Sequence, residues 1–198
     1  MTSLVAEPAA LLARIERVRA GLAGAAQIEP EAVEARVAAS VAQLGLCARV
    51  FAPVFGTSVL SGRSFTPQLS ELWWQDELGG AFPLSVPEPA VSGGELAQWV
   101  RHGPIATLVD AVNELVPVSP RVLWGNVASA VNSASVQVAT ARPELAERAR
   151  VLAEELLADP VLNPSGAATG PSFRRASCCL IYRVASSRAA ICGDCILR

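Results

Sequence analysis

Four of the five cysteines lie near the carboxyl end of this 198-residue chain. The adjacent pair Cys178 and Cys179 is followed, after twelve residues, by a C-x-x-C motif formed by Cys192 and Cys195. Four thiolates make a complete ligand set for a metal centre. Neighbouring side chains diverge and resist sharing one tetrahedral zinc ion, whereas a [2Fe–2S] cluster offers two metal atoms. The spacing therefore favours a [2Fe–2S] cluster, with a structural zinc knuckle and a metal-free thiol site as the alternatives.

The segment that carries these cysteines is basic. Residues 174–198 hold five arginines and one acidic residue, Asp194, on a chain whose net charge is −2. A cluster with four thiolate ligands is anionic, so nearby guanidinium groups would stabilise its reduced form and raise its potential. The alternative is an ordinary solvated basic segment. The side chains predicted to lie beside the cluster are those of Arg174, Arg175, Arg183 and Tyr182.

The composition excludes several classes of protein. All 16 basic residues are Arg, so neither a P-loop nor Schiff-base catalysis has its lysine. The only histidine is His102, which leaves no HExxH motif, no histidine-rich zinc site and no Rieske centre. A net charge of −2 also argues against a nucleic-acid partner, because such proteins neutralise phosphates with a basic surface.

Proline positions and apolar spacing predict a mainly α fold. Leu11, Ile15, Val18 and Leu22 repeat at helical intervals, and prolines stand where several of the helices would start. The organisation we predict is a helical body with a substrate groove over 1–160, a linker over 161–173 and an iron–sulfur segment over 174–198. Within the body we expect a short strand in 51–60, a short helix seeded by 69–73 and a loop over 79–94.

The longest uncharged run, residues 122–141, has the length of a membrane span. Seven of its twenty side chains are polar groups that can form hydrogen bonds, so we predict a buried helix of a soluble protein instead. The amino-terminal sequence has no basic stretch before an apolar run and predicts a helix rather than a signal peptide. The expected location is therefore the reducing cytosol, where clustered cysteines are more often metal ligands than disulfides.

Three residues outside the cysteine-rich end also bear on function. Asn126 lies inside the apolar run and needs a polar partner, either a hydrogen bond in the core or the docked cysteine segment, and we expect it to pack beneath that segment rather than to contact a substrate. Trp124 is considered for the same two roles. Cys47 falls on the apolar face of its predicted helix, so we expect an inert core cysteine rather than a fifth ligand.

The sequence FRRASCCLIYRV…ICGDCIL resembles the carboxyl-terminal [2Fe–2S] segment of the FhuF-like ferric-siderophore reductase family. LGLCARVFAPVFG, the segment Leu72-Trp73-Trp74 and LWGNVASA resemble that family's helical body. The resemblance implies that Cys178, Cys179, Cys192 and Cys195 bind the cluster. The family usually has ten residues between the two cysteine pairs, and this chain has twelve. Closing a loop two residues longer costs only about 0.2 kcal/mol, so the insertion does not forbid the cluster.

The resemblance further implies a function. An enzyme of this family transfers one electron to the Fe(III) of a ferric siderophore, and the resulting Fe(II) binds hard oxygen donors less strongly and is released. The implied partners are the ferric siderophore and an electron donor, which would be a ferredoxin, a flavoprotein or a nicotinamide-dependent reductase. The implied location is cytoplasmic, with peripheral contact at a siderophore permease as a further implication. The non-enzymatic alternative is a helical binding protein with a zinc knuckle.

Overall fold

The chain folds mainly into α-helices, which confirms the predicted fold class. A computed structural model describes residues 1–78, 82–85, 95–164, 169–184 and 191–197. The helices are α1 (Thr2–Ala6), α2 (Pro8–Ala26), α3 (Ala35–Ser61), α4 (Leu96–His102), α5 (Pro104–Leu115), α6 (Pro120–Ala141) and α7 (Ala146–Leu157). Short 3₁₀ turns cover Pro30–Ala32, Leu69–Glu71, Pro143–Leu145, Gly170–Ser172 and Ile181–Arg183.

The two central helices of the fold are α3 and α6, which pack against each other. Ala38, Ala39 and Ala42 of α3 and Ala128 and Ala134 of α6 are all buried. Short side chains let two helix axes approach closely, and ridges of larger residues on either side then fill the remaining space. Helices α2 and α5 pack on α3, while α7 packs on α6.

The expected strand in 51–60 is wrong, because α3 continues through it to Ser61. Phe51, Phe55 and Val59 recur every four residues and are completely buried. Burial of this helical face contributes more free energy than the preference of the β-branched residues for a strand. Pro53 lies inside the helix and removes a single backbone donor, which the packing of the surrounding turns outweighs.

The predicted short helix at 69–73 is also wrong in form. A single 3₁₀ turn covers Leu69–Glu71, and the chain then extends into strand β1 (Trp73–Trp74), which pairs antiparallel with β2 (Leu84–Ser85). Trp74 packs edge-on against Phe82, with ring centroids 5.3 Å apart, so the hairpin gains aromatic contact. The rest of the loop predicted over 79–94 lies outside the described residues.

One helix in the described part of the chain, α3, is long and apolar enough to cross a membrane by length and composition alone. The uncharged run 122–141, whose length in the sequence matches a membrane span, belongs to a different helix, α6. In α3, 61% of the most apolar window is buried inside the protein. The same composition is typical of a central core helix, so α3 carries no conclusion about a membrane.

The described residues of the cysteine segment (174–198), namely 174–184 and 191–197, contact both central helices. The Ser177 hydroxyl donates to the Arg121 carbonyl at 2.8 Å, at the start of α6. The Ser40 hydroxyl of α3 donates to the Cys179 carbonyl at 2.9 Å. Gly125 permits this approach, because a Cβ there would lie 2.2 Å from the Ser177 oxygen. The position of the cysteines is therefore set by α3 and α6 together.

A pair of glycine-to-alanine variants tests this docking. Gly45 lies at an exposed site of α3, and a methyl group added there would meet nothing within 4 Å. Gly45→Ala should therefore raise the free energy of unfolding by about 0.5–1 kcal/mol. Gly125→Ala makes the same exchange inside α6 and should instead lower it by about 1–3 kcal/mol, because the methyl group displaces Ser177. Urea unfolding measures both values. Equal stabilisation by the two variants would contradict the docked position of the segment.

Candidate metal centre

The four predicted ligand cysteines come together as two pairs of sulfur atoms. The Sγ atoms of Cys178 and Cys195 lie 3.9 Å apart, and those of Cys179 and Cys192 lie 3.8 Å apart. Each pair joins one member of the adjacent cysteines to one member of the C-x-x-C motif. The adjacent cysteines thus point to different partners, and all four are free thiols without a disulfide.

The spacing within each pair matches that of two ligands on one metal atom. Two sulfurs bound tetrahedrally at 2.3 Å lie about 3.8 Å apart. Within the described residues, no group of three or more His, Cys, Asp or Glu side chains is placed to hold a single metal ion. Each pair therefore has the separation of two ligands on one metal atom, and the four described sulfurs are not gathered around a single point.

Backbone geometry holds the sulfurs of the pair formed by Cys178 and Cys195. Leu180 has a φ of +72°, a left-handed conformation that is uncommon for a leucine. This turn lets the Leu180 N–H donate to the Cys178 sulfur at 3.3 Å. In the same way the Leu197 N–H donates to the Cys195 sulfur at 3.4 Å. Backbone donors of this kind stabilise thiolate charge and are one of the factors that set iron–sulfur potentials.

Burial divides the four cysteines into two inner and two outer residues. Cys179 and Cys195 are 2% and 1% exposed, while Cys178 and Cys192 are half-buried. Each sulfur pair therefore contains one inner and one outer cysteine. A group bound by all four would be shielded by protein on one side and would approach the solvent on the other.

The free thiols of Cys178 and Cys192 stay protonated at neutral pH. Burial raises the pKa of Cys178 to about 11. Burial also raises the pKa of Cys192 far above its ordinary value, and the adjacent Cys179 and Asp194 add to this shift. Because only the thiolate binds a metal, a metal that enters this site must displace these protons.

Arg175 is the most unusual side chain at the site. It is 2% exposed, and one terminal nitrogen donates to the Asn126 side-chain oxygen at 2.5 Å and to the Val122 carbonyl at 3.3 Å. Its Nε has no hydrogen-bond partner among the described residues, and no carboxylate there lies within ion-pair distance of it. An isolated buried cation is costly unless an anionic group lies nearby. The four-thiolate cluster predicted from the sequence is such a group.

The other side chains predicted beside the cluster are placed differently. Arg183 forms an ion pair with Glu34 at 2.6 Å, so its charge is largely offset. Arg174 is exposed and donates to the Phe173 carbonyl at 2.9 Å. Tyr182 is half-buried in the 3₁₀ turn that follows the adjacent cysteines. Of the three predicted arginines, Arg175 is therefore the one with a buried charge that no acidic side chain balances.

Asn126 joins the cysteine segment to both central helices. Its side-chain oxygen accepts from Arg175, while its nitrogen donates to the Ser40 carbonyl at 2.9 Å and to the Gln43 side-chain oxygen at 2.8 Å. It is completely buried, which leaves no surface for a substrate. The Trp124 ring instead lies under the guanidinium of Arg101 in α4, whose central carbon is 5.0 Å from the ring centroid.

Cys47 is buried in α3, and its sulfur accepts a hydrogen bond from Gln43 at 3.1 Å. Burial raises its pKa to about 12, which makes the thiol unreactive at neutral pH. His102, the single histidine, ends α4 on the surface. Neither residue joins the group of four cysteines.

Sequence reasoning missed two side chains. One contacts the C-x-x-C motif, and the other contacts the 3₁₀ turn Gly170–Ser172 that precedes the cysteine segment. Ser129 donates to the Asp194 carboxylate inside the motif. Asn132 makes two hydrogen bonds to the backbone of Gly170, at 3.1 Å and 2.6 Å. The signal was present, because both residues belong to the polar set within the uncharged run of α6. Asn126, Ser129 and Asn132 follow one another at intervals of three residues, which places successive members on neighbouring positions of the helix surface.

No family model, no curated protein and no solved structure matches this chain. The similarity to FhuF-like reductases stays a prediction that rests on the motifs quoted above. The placement of the four sulfurs and of Arg175 is the remaining basis for a functional proposal.

Oxidation of the metal-free protein tests the sulfur pairing. Treatment of the folded protein with oxidised glutathione should form the disulfides Cys178–Cys195 and Cys179–Cys192, each bond reducing one glutathione disulfide to two thiols. Peptide mass mapping identifies the pairs, and Cys47 should stay free.

The same oxidation in urea serves as the control for this pairing. In an unfolded chain, loop closure favours the shortest bridge, so Cys192–Cys195 should dominate. A folded protein that also gives mainly Cys192–Cys195 would contradict the observed arrangement.

Proposed function

We propose that this protein is an iron–sulfur reductase that transfers one electron to the Fe(III) of a ferric siderophore, so that iron is released in the cytosol. The observation that carries the proposal is the placement of four cysteine sulfurs as two pairs with metal-ligand spacing, 3.8 and 3.9 Å. The resemblance of the flanking motifs to FhuF-like reductases supplies the substrate class.

Cys178 and Cys195 would hold one iron of a [2Fe–2S] cluster, and Cys179 and Cys192 would hold the other. When bound, the cluster supplies a one-electron carrier whose potential the protein can adjust. The inner cysteines keep water away from one side of the site, and the half-buried Cys178 and Cys192 leave the other side open to a redox partner. The Leu180 and Leu197 N–H groups stabilise the sulfurs that they contact.

The buried charge of Arg175 supports an anionic occupant. A four-thiolate [2Fe–2S] centre carries a charge of about −2 when oxidised and −3 when reduced, by formal counting of the ligand set. A cation held in the interior attracts the more negative state more strongly, so it raises the potential. We also propose a cytoplasmic location and an electron donor that is a ferredoxin, a flavoprotein or a nicotinamide-dependent reductase.

Metal analysis and reduction kinetics test the proposal. Aerobically purified protein should be red-brown, contain about two irons per chain, and give an EPR signal after one-electron reduction. Stopped-flow mixing of the reduced protein with ferric siderophores should oxidise the cluster. A colourless protein with one zinc ion would instead indicate the zinc knuckle, and a cluster that no ferric siderophore oxidises would refute the reductase assignment.

Serine variants identify the ligands. Each of Cys178→Ser, Cys179→Ser, Cys192→Ser and Cys195→Ser should reduce the iron content well below that of the wild type, because a hydroxyl group binds iron more weakly than a thiolate does at neutral pH. Cys47→Ser is the matched control and should retain the wild-type iron content. Iron loss in Cys47→Ser equal to that in the other four would contradict the assignment of the ligands.

Two adjacent arginines test the electrostatic role of the buried charge. Arg175→Met should lower the reduction potential by tens of millivolts, on the order expected for one charge about 10 Å away in a protein interior. Arg174→Met removes the same charge from the exposed neighbouring position, where water and salt screen it, and should change the potential much less. Protein-film voltammetry gives both values, with iron content as the control. Equal shifts in the two variants would contradict the role of burial.

A further inference from the structure

A groove with a volume of about 310 Å³ lies beside the C-x-x-C motif. One wall is the outer face of α6, with Ser133, Val136 and Gln137, and the other wall contains Gly193 and Asp194 from the motif. We propose that this groove, which we call the loop groove, is the site where the ferric chelate binds during electron transfer. The inference rests on the proposed reductase function and adds the place and the residues of substrate binding.

The end of the loop groove is fixed by hydrogen bonds. Asn132 holds the backbone N–H and carbonyl of Gly170 with the two ends of its side-chain amide, at 2.6 and 3.1 Å. Gly170 has a φ of +79°, a conformation that a residue with a Cβ adopts only with strain. The 3₁₀ turn Gly170–Ser172 therefore stands in one position against α6. A binding site that is formed in advance loses less entropy when its ligand arrives.

The side chains of the loop groove suit an oxygen-rich chelate. Ser133 and Gln137 are exposed, so their hydroxyl and amide groups can donate to peripheral oxygens of a ligand. Val136 and Pro171 supply apolar surface next to them. Gly193 has no side chain, and a Cβ there would meet nothing within 4 Å. A ligand can therefore lie directly against the backbone between Cys192 and Cys195.

Another groove in the described part of the chain is larger, but it lies too far from the cysteine segment to suit electron transfer. It has a volume of about 430 Å³ and is lined by the β1–β2 hairpin and Arg49. Arg49 follows Ser40, which contacts the Cys179 carbonyl, by nine residues on α3, or about 13 Å along the helix axis. Electron transfer slows steeply with distance, so a chelate there would receive electrons poorly. The loop groove has residues of the ligand motif in its own wall.

A blocked groove tests the inference. Ser133→Trp fills the loop groove from the exposed face of α6 without touching a cysteine. The matched control is Thr107→Trp, which places the same indole on the exposed face of α5. Calorimetric titration of the iron-loaded proteins with the gallium(III) complexes of desferrioxamine B and of a tris-catecholate measures binding without redox chemistry, because gallium(III) has the charge of Fe(III) and is not reduced.

The wild type and Thr107→Trp should bind at least one gallium chelate with equal affinity, and Ser133→Trp should bind it at least about tenfold more weakly. Ser133→Trp should keep the wild-type iron content and EPR signal and should reduce the matching ferric chelate at least about tenfold more slowly. Equal binding by Ser133→Trp and the wild type, or no binding by the wild type, would refute the proposal that the chelate binds in the loop groove. Failure of the reductase function is a separate result, namely a wild-type cluster that no ferric chelate oxidises.

Discussion

The hydrogen bond between Arg175 and Asn126 is the contact on which the arrangement of the cysteine segment depends. Asn126 is completely buried and uses its oxygen for Arg175 and its nitrogen for Ser40 and Gln43 of α3. A buried amide costs free energy unless both of its ends are paired, so it selects one position for each neighbour. Two core helices and the cysteine segment are thereby held in a single arrangement, and apolar packing alone would specify it less strictly.

This arrangement buries the positive charge of Arg175 in the segment that carries the four cysteines. Burial raises the pKa values of the Cys178 and Cys192 thiols, so these two keep their protons at neutral pH. The proposed centre with four thiolate ligands would be anionic, and the buried charge of Arg175 would favour it. The site therefore combines a buried cation, whose Nε has no hydrogen-bond partner among the described residues, with a leucine in a left-handed conformation. Strain of this kind is typical of functional sites.

Helix α6 connects the two parts of the proposed function. Its inner face presents Asn126 and Ser129 to the cysteine segment, and its next turns present Asn132, Ser133 and Gln137 at the loop groove. Five of the seven polar residues in the uncharged run of this helix thus contact the cysteine segment or line the groove. A single rigid helix fixes the distance between the cysteines and the groove, which favours a constant approach of the two redox partners.

The sequence by itself determined the helical fold class and the four cysteines to be considered, because both depend on local patterns. Helical spacing of apolar residues and the position of prolines are properties of short segments. Sequence patterns failed at 51–60 and 69–74, where burial of Phe51 and Phe55 and the pairing of two tryptophans with 84–85 outweighed local preference. Only the tertiary structure decided which sulfurs pair, which arginine is buried and where a groove opens. Those properties depend on contacts between residues far apart in the chain, as between Arg175 and Asn126, and no local pattern contains them.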